Sequence, residues 1–348
     1  MQNRQLRILS LISGLILAAL LSGCMRTQAW TDVNIRGLDL RESVPSLAIS
    51  ATGVPFMLYR DVINDHKFSV AKFEKDAWIP VGMQGFSPAI VSNVFLKVNA
   101  NGIPYVAYKE IVINDNHKLW VMKLEGEGWV PVGPPVILMK NEITRISLAL
   151  NASGTPYVAY TEFDRNEHKL LVMKFEEGIW IPVGPPIYSL KGVGRPSLAL
   201  SSTGIPYVAY MDFDNSAKLS VVKLEGATWV PVGPPGFSTI TDDYPSLALD
   251  AAGVPYVVFQ GDDSRLSVMK YTEGAWVFVG QPDTSLKPGY FPSMMLDAAG
   301  VPHVAYLQYA SPGFKFWMKK FERGNWVFVE PPGFSSEKAG QPQGDCTY

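Results

Sequence analysis

The chain has 348 residues, of which 47% are hydrophobic and 18% charged, a composition that excludes an intrinsically disordered protein. Its 30 basic and 32 acidic residues leave a formal net charge of −2, and no basic block offers nucleic acid a binding surface. No apolar run reaches the roughly 18 residues that a membrane-spanning helix needs, so the sequence predicts a globular protein.

The first 24 residues have the layout of a secretory signal peptide. Two positive charges precede an apolar stretch at 8–21, which leads into Leu21-Ser22-Gly23-Cys24. This run resembles the lipobox of bacterial lipoproteins. The resemblance implies cleavage before Cys24 and acylation of that cysteine, for example with palmitate. We therefore predict a signal peptide at 1–23 and a lipid anchor at Cys24, on the extracytoplasmic side of a bacterial membrane in the cell envelope.

Residues 24–44 are predicted to tether the anchor to a repeated domain. Trp30 lies 48 residues before Trp78, and it matches the tryptophan that recurs in the repeats described next. Two placements are open for a strand at Trp30. It either joins the last repeat and closes a ring, displacing or flanking Trp326, or it lies against the domain as part of the tether. We expect flanking closure.

Residues 45–334 contain one unit repeated six times. Each unit has a Gly-x-Pro sequence followed by an aromatic residue or His, and then a Trp that begins a short apolar run. The glycines recur at intervals of 47 to 52 residues. They are Gly53, Gly102, Gly154, Gly204, Gly253 and Gly300, and the tryptophans are Trp78, Trp129, Trp180, Trp229, Trp276 and Trp326.

Each unit predicts four short strands, called A to D in chain order. In the fourth unit they fall at 196–200, 206–210, 218–224 and 229–232, and each is apolar and bounded by turn residues. A linear stack of such units would need distinct polar caps, which the first and last units lack. We therefore predict an all-β fold, a six-bladed β-propeller with four antiparallel strands per blade and strand A innermost.

The A-to-B segment resembles the repeat of NHL-type six-bladed propellers. An example is Leu247-Ala248-Leu249-Asp250-Ala251-Ala252-Gly253, followed by Pro255-Tyr256-Val257. The units depart from that family in placing Pro before the aromatic residue and in being longer. The resemblance covers 45–334 and implies the fold rather than a function. The full sialidase motif Ser-x-Asp-x-Gly-x-x-Trp is absent.

In a propeller the B–C and D–A loops lie on one face, called the loop face here, with one mouth of the central channel. These loops differ between units more than the opposite turns do, which indicates specificity there or relaxed drift. The candidate ligand-binding residues are acidic residues near the ends of the B strands. They are Asp61, Glu110, Glu162, Asp212 and Asp262. Neighbouring blades would hold them about 12 Å apart, too far to share a Ca²⁺ ion unless the loops fold inward.

No metal, cofactor or catalytic residue is predicted. His66, His117 and His168 recur every 51 residues, but neighbouring blades would hold them about 16 Å apart, too far to share zinc. His303 replaces a strand-B tyrosine and is expected to pack. Two carboxylate pairs, Asp212 with Asp214 and Asp262 with Asp263, each lie on a single loop without a positioned partner.

The predicted function is a non-catalytic, membrane-anchored binding or scaffolding propeller for a protein or glycan partner. Two alternatives are open. One is a multivalent surface lectin with aromatic sites between blades, although packing between sheets explains the repeated Tyr and Trp positions more simply. The other is a glycan-active hydrolase or lyase at the channel mouth.

Residues 335–348 form a polar tail that contains Cys346. If Cys24 carries lipid, Cys346 has no partner within the chain. It is then either a solvent-exposed thiol or one half of an intermolecular disulfide.

Overall fold

A computed structural model describes residues 45–329 apart from short gaps, together with Ile35 and Leu38. The gaps are 76, 89–90, 113–115, 140–141, 165–166, 240–244, 262–264, 282–288 and 311–312. The predictions for 1–23, Cys24, Trp30, Asp262, Asp263, the tail at 335–348 and Cys346 lie outside the described residues. No helix in the described part of the chain is long and apolar enough to cross a membrane.

The described residues form six antiparallel sheets, each a meander of consecutive strands, and this confirms the predicted six-bladed propeller. Blade 1 contains β1 (Ser46–Ile49), β2 (Pro55–Asp61), β3 (Lys67–Glu74) and β4 (Ala77–Pro80). Blade 2 contains β5 (Val91–Val98), β6 (Pro104–Glu110), β7 (Asn116–Glu125), β8 (Gly128–Pro131) and β9 (Val136–Met139). Blade 3 contains β10 (Glu142–Leu150), β11 (Pro156–Asp164), β12 (Glu167–Glu176), β13 (Ile179–Pro182) and β14 (Ile187–Ser189).

Blade 4 contains β15 (Val193–Leu200), β16 (Pro206–Asp212), β17 (Lys218–Glu225) and β18 (Thr228–Pro231), with a 3₁₀ turn at Phe213–Asn215. Blade 5 contains β19 (Ser246–Leu249), β20 (Pro255–Gln260), β21 (Leu266–Thr272) and β22 (Ala275–Phe278). Blade 6 contains β23 (Gly289–Leu296), β24 (Pro302–Ala310), β25 (Gly313–Glu322) and β26 (Asn325–Phe328).

Blades 2 and 3 each carry a fifth strand that the repeat pattern does not predict. In both blades the D–A connection turns back along the third strand, so that β9 pairs with β7 and β14 pairs with β12. The loop face is therefore built up further on this side of the ring.

The ring closes through side-chain packing between blades 6 and 1. Leu47 and Tyr59 of blade 1 share a buried cluster with Leu307 and Met318 of blade 6, and Ile35 belongs to it too. Equivalent clusters join the other neighbouring blades. Trp326 stays within blade 6, because β26 pairs with β25.

Serines on the innermost strands link neighbouring blades. In four blades a serine hydroxyl accepts a hydrogen bond from a backbone N–H of the next blade's inner strand. The pairs are Ser46 with Leu96 (2.9 Å), Ser147 with Leu198 (3.0 Å), Ser197 with Leu247 (2.9 Å) and Ser246 with Met294 (3.0 Å). Blade 2 has Phe95 at this position, so its inner strand already departs from the repeat.

The repeated tryptophans tie the outer strands together. In four blades the indole Nε1 donates to a carbonyl of the preceding blade, as Trp180 to Pro134 (3.0 Å), Trp229 to Pro185 (2.9 Å), Trp276 to Val232 (2.8 Å) and Trp326 to Val279 (2.9 Å). A glycine lies beside three of these rings, those of Trp229, Trp276 and Trp326. At Gly184, for example, φ is +71° and an added Cβ would lie 2.9 Å from Trp229 Nε1. These contacts support packing as the role of the tryptophans.

Two tryptophans allow the hydrogen bond to be separated from the packing. Trp276 stacks on Phe237 at 4.1 Å and Trp129 on Phe86 at 4.3 Å. The buried Nε1 of Trp129, however, has no hydrogen-bond partner among the described residues. Trp276→Phe should therefore reduce the free energy of unfolding by about 1 kcal/mol more than Trp129→Phe. Urea denaturation would measure the difference, and equal losses would contradict it.

Candidate functional site

The inner strand bends at the same level in four blades, close to the loop face. The pairing between strands A and B shifts register between Ser92 and Phe95, Ile143 and Ile146, Gly194 and Ser197, and Tyr290 and Ser293. Asn93, Arg195 and Phe291 lie inside these bulges with φ of 52°, 48° and 55°. A bulge redirects a side chain out of the regular alternation. Here the bulged residues line the two cavities of the loop face.

The first cavity, called the channel cavity, lies at the mouth of the central channel and has a volume of about 340 Å³. Three cationic residues from three blades line it: Arg60 on β2, Lys97 on β5 and Arg145 on β10. The remaining walls are mainly apolar or carry serine hydroxyls. None of the described residues that line the channel cavity is a carboxylate, although the whole chain carries more acidic than basic residues.

Lys97 occupies a position that is apolar in every other blade. The equivalent residues are Ala48, Ala149, Ala199, Ala248 and Met295. Its ammonium lies 5.8 Å from the centre of the Phe95 ring. Burial lowers the pKa of Lys97 from 10.5 to about 8. The fold therefore carries a charge here that its repeat does not require.

The second cavity, called the blade 3–4 groove, has a volume of about 490 Å³. Its aromatic walls are Phe213 and the Phe163–His168 pair, whose ring centres are 4.4 Å apart. Lys191 and Arg195 add positive charge, and Glu162 is the one carboxylate among its described lining residues. Arg145 lines both the groove and the channel cavity, so the two are adjacent.

The loop that carries Phe213 also holds the D–A connection that lines the groove beside it. The carboxylate of Asp214 accepts hydrogen bonds from the backbone N–H groups of Leu190 (3.1 Å) and Lys191 (2.9 Å). A Cβ added at Gly192 would lie 3.2 Å from the Phe213 ring, and one at Gly194 would lie 3.3 Å from it. These glycines therefore let the D–A connection approach Phe213 closely.

Of the predicted carboxylates, Asp61 and Asp212 occupy equivalent networks in blades 1 and 4. One Asp212 oxygen accepts from Asn215 Nδ2 (2.8 Å) and Ser220 Oγ (2.7 Å), and the other accepts from the Asn215 backbone. Ser220 Oγ in turn accepts from the Gly236 N–H at 3.0 Å.

Asp61 makes the same contacts with Asn64 and Ser69, and Ser69 Oγ accepts from Gly85. Asp61 is 1% and Asp212 6% exposed. Both carboxylates therefore brace the loop that follows them, and a ligand contact at either stays a prediction.

Glu110 and Glu162, two further predicted carboxylates, also have partners, although these differ between the two blades. Glu110 accepts from Trp120 Nε1 at 2.6 Å. Glu162 lies 3.5 Å from Lys169 Nζ. Of the predicted carboxylates that the structure describes, only Glu162 lines one of the two cavities.

The histidines lie in separate environments. His117 Nδ1 accepts from the Val112 N–H at 3.4 Å, His168 packs on Phe163, and His303 Nε2 lies 3.2 Å from Asp297 Oδ2. Within the described ranges, no group of three His, Cys, Asp or Glu residues could hold a metal ion.

Sequence reasoning missed the cationic residues and the groove. One signal was available for Lys97, because aligning the units shows a lysine where four units have alanine. The equivalent hydrogen-bond networks of Asp61 and Asp212 could also have been predicted from the sequence. Each of these residues is followed by an Asn three residues later and a Ser eight residues later. The grouping of Arg60, Lys97 and Arg145 had no such signal, because it depends on which blades meet at the channel mouth.

No protein-family model and no curated protein matches the chain. Solved structures do match it. Aleuria aurantia lectin in complex with Fucα1-6GlcNAc has a TM-score of 0.58 at 16% identity, covering 84% of this chain and 97% of the lectin.

Penicillium chrysogenum α-L-arabinanase complexed with arabinobiose gives a TM-score of 0.58 at 11% identity, with coverage of 84% and 97%. Trypanosoma rangeli sialidase gives 0.52 at 13% identity, with coverage of 79% of this chain and 53% of the sialidase. At these identities the similarity shows the fold, which this chain shares with propeller lectins and glycosidases.

Proposed function

We propose that this protein is a non-catalytic, lipid-anchored propeller that binds a glycan on its loop face, in the blade 3–4 groove and the adjoining channel cavity. The observation that carries the proposal is the groove itself, which combines aromatic walls with several hydrogen-bonding and charged side chains. Sugars suit such a site, because aromatic rings pack against their C–H faces while polar groups bind their hydroxyls. The structural neighbours include proteins solved with saccharides.

The groove differs from the sites of a multivalent lectin. Phe213 and the Phe163–His168 pair belong to the B–C loops and strand ends of blades 3 and 4, where the units diverge. By contrast, the repeated tryptophans are engaged between blades. We therefore expect about one glycan site per chain rather than one per blade.

The non-catalytic proposal rests on the carboxylates. Glycoside hydrolysis generally needs two carboxyl groups about 5–9.5 Å apart across the scissile bond. The described groove residues provide one, Glu162. Asp212 accepts a hydrogen bond from the Asn215 backbone, and Asp214 accepts two from the backbone of Leu190 and Lys191. Both carboxylates are therefore engaged in holding loops and are poorly placed to act as an acid and base pair.

The test is binding of the purified full chain to a broad glycan array, followed by titration of any hit. Phe213→Ala should weaken that binding by about fivefold, because one aromatic contact contributes about 1 kcal/mol. Phe278→Ala is the matched control, since Phe278 is 49% exposed on an outer strand away from the groove. An array without hits, or equal affinity of wild type and Phe213→Ala, would overturn the proposal.

The lipid anchor is part of the same proposal and rests on the Leu21-Ser22-Gly23-Cys24 sequence. Cys24→Ser in a bacterial host should abolish palmitate labelling and move most of the chain out of the membrane fraction, because the thiol is the acylation site. Cys346→Ser should leave both properties unchanged. Palmitate label that persists in Cys24→Ser would contradict the anchor.

A further inference from the structure

The channel cavity has a chemical character that glycan binding in general does not require. Three cationic side chains from separate blades converge on about 340 Å³. The described lining residues supply no carboxylate to balance them. Like charges gathered in a partly desolvated space oppose folding, so their arrangement indicates a bound anion.

The carboxylate next to Arg60 in the chain is occupied by other groups. Asp61 follows Arg60 directly in the chain, but its oxygens accept hydrogen bonds from Ile63, Asn64 and Ser69. Arg60 instead lies with its guanidinium carbon 5.8 Å from the centre of the Phe68 ring, and its Nε is buried without a hydrogen-bond partner among the described residues. Arg60 therefore retains capacity for a ligand.

Arg145 connects the charged cavity to the aromatic groove, since it lines both. A ligand that extends from one to the other would meet cations at the channel end and aromatic rings at the groove end. A flat guanidinium binds a carboxylate in a bidentate manner. A volume of this size is within the range of small-molecule sites.

We propose that the ligand is an acidic saccharide, with the carboxylate of a uronic-acid type residue in the channel cavity beside Arg60, Lys97 and Arg145 and the neighbouring sugar in the blade 3–4 groove. This inference rests on the proposed function and specifies the class of glycan. It assigns Lys97 the role of an anion-binding residue, which explains why a lysine replaces the alanine of the repeat.

The titration of Lys97 supplies an independent readout. Burial lowers the pKa of Lys97 to about 8, so at pH 9 its side chain is mostly the neutral amine. Arg60 from β2 and Arg145 from β10 line the same cavity as Lys97, and Tyr105 from β6 is its cross-strand neighbour. Tyr160 from β11 packs in the same buried cluster as Tyr105. Burial, followed by the charge of Glu162, raises the pKa of Tyr160, so this phenol stays neutral at pH 9.

The experiment compares three probes by calorimetry on the full chain in detergent at low salt. They are oligogalacturonate, its fully methyl-esterified form, and an oligoglutamate of equal charge. We expect oligogalacturonate to bind at least about tenfold more tightly than the ester, since a charge-assisted hydrogen bond exceeds a neutral one by that factor. Oligoglutamate should bind weakly, because it lacks a sugar ring for the groove.

The variants test the assigned residue. Lys97→Met should reduce oligogalacturonate affinity by about tenfold and leave affinity for the ester unchanged. Raising the pH from 7 to 9 should weaken oligogalacturonate binding by a similar factor in the wild type but not in Lys97→Met. Lys123→Met is the matched control, since Lys123 lies in the same blade beside Glu125 and away from the cavity.

The outcomes separate the two proposals. Equal affinity for the acid and its ester, or unchanged affinity in Lys97→Met, would overturn the acidic ligand while leaving glycan binding intact. Oligoglutamate binding as tight as oligogalacturonate would also overturn it, because charge alone would then explain the affinity. Failure of every array glycan and both galacturonate forms would overturn glycan binding itself.

Discussion

Lys97→Met is expected to stabilise the protein by about 2 kcal/mol at pH 7. The lowered pKa of Lys97, about 8 against an ordinary 10.5, corresponds to about 3 kcal/mol against the charged form, and partial access of solvent reduces this figure. Methionine keeps most of the apolar stem without the charge. It also stands at the same position in blade 6, as Met295.

The sign of the pH dependence follows from proton linkage. Between pH 8 and 10.5 the unfolded chain holds a proton on Lys97 more often than the folded chain does, so stability rises with pH there. The cost of the charge is therefore complete below pH 8 and fades as the pH approaches 10.5. The advantage of Lys97→Met should shrink over the same interval.

Urea denaturation of wild type and Lys97→Met at pH 7 and pH 10 would measure both effects. Lys123→Met serves as the control, because an exposed ion pair such as Lys123–Glu125 contributes little. A variant no more stable than wild type at pH 7 would show that the ammonium is well solvated or paired.

A destabilising residue that the repeat does not need is expected at a functional site. Lys97→Ala would restore the residue of four other blades, and the fold would lose nothing that the repeat requires. Gain of stability together with loss of acidic-glycan binding would identify Lys97 as a residue retained for its ligand. A gain of stability without loss of binding would show that Lys97 destabilises the fold but does not bind the ligand. A loss of binding without a gain of stability would show the reverse.

The fold could be predicted from the sequence because each unit repeats the same local pattern. Gly204 and Trp229, for example, have equivalents that mark the A–B turn and strand D in all six blades, and six such units bury their faces only against each other. Local pattern does not determine where a D–A loop returns. The pairing of β14 with β12 was therefore not predicted.

For the site, only its location on the loop face could be predicted from the sequence, and not the residues that line it. The acidic residues at the strand-B ends recur, but at Asp61 and Asp212 the recurrence reflects the same hydrogen-bonded bracing of the following loop. The cationic residues do not recur. Arg145 reaches the channel through a bulge in β10, and a bulge depends on backbone pairing that side-chain periodicity does not reveal.

Asp212→Ala is expected to reduce the free energy of unfolding by about 3 kcal/mol. The buried carboxylate accepts hydrogen bonds from Asn215 and Ser220, and its removal leaves those donors without a partner away from water. Burial, followed by the charge of Asp212, raises the pKa of Tyr210 to about 12, so this phenol stays neutral and cannot replace the lost anion. Urea denaturation would measure the loss.

The same change should weaken glycan binding, since the braced loop carries Phe213, which lines the groove, and Asp214, which accepts a hydrogen bond from Lys191. Asp61→Ala is the matched variant. It removes the same network from blade 1, away from the blade 3–4 groove. It should therefore cost similar stability and leave Phe213-dependent binding intact.

The pair of variants decides between the two roles considered for these carboxylates. If Asp61→Ala and Asp212→Ala both abolished binding while costing little stability, the carboxylates would contact the ligand directly and the bracing role would be wrong. If both destabilise and only Asp212→Ala affects the groove, the acidic residue acts by positioning Phe213. The two B–C loops then share the carboxylate network that holds them and differ in the side chains that they place on the loop face.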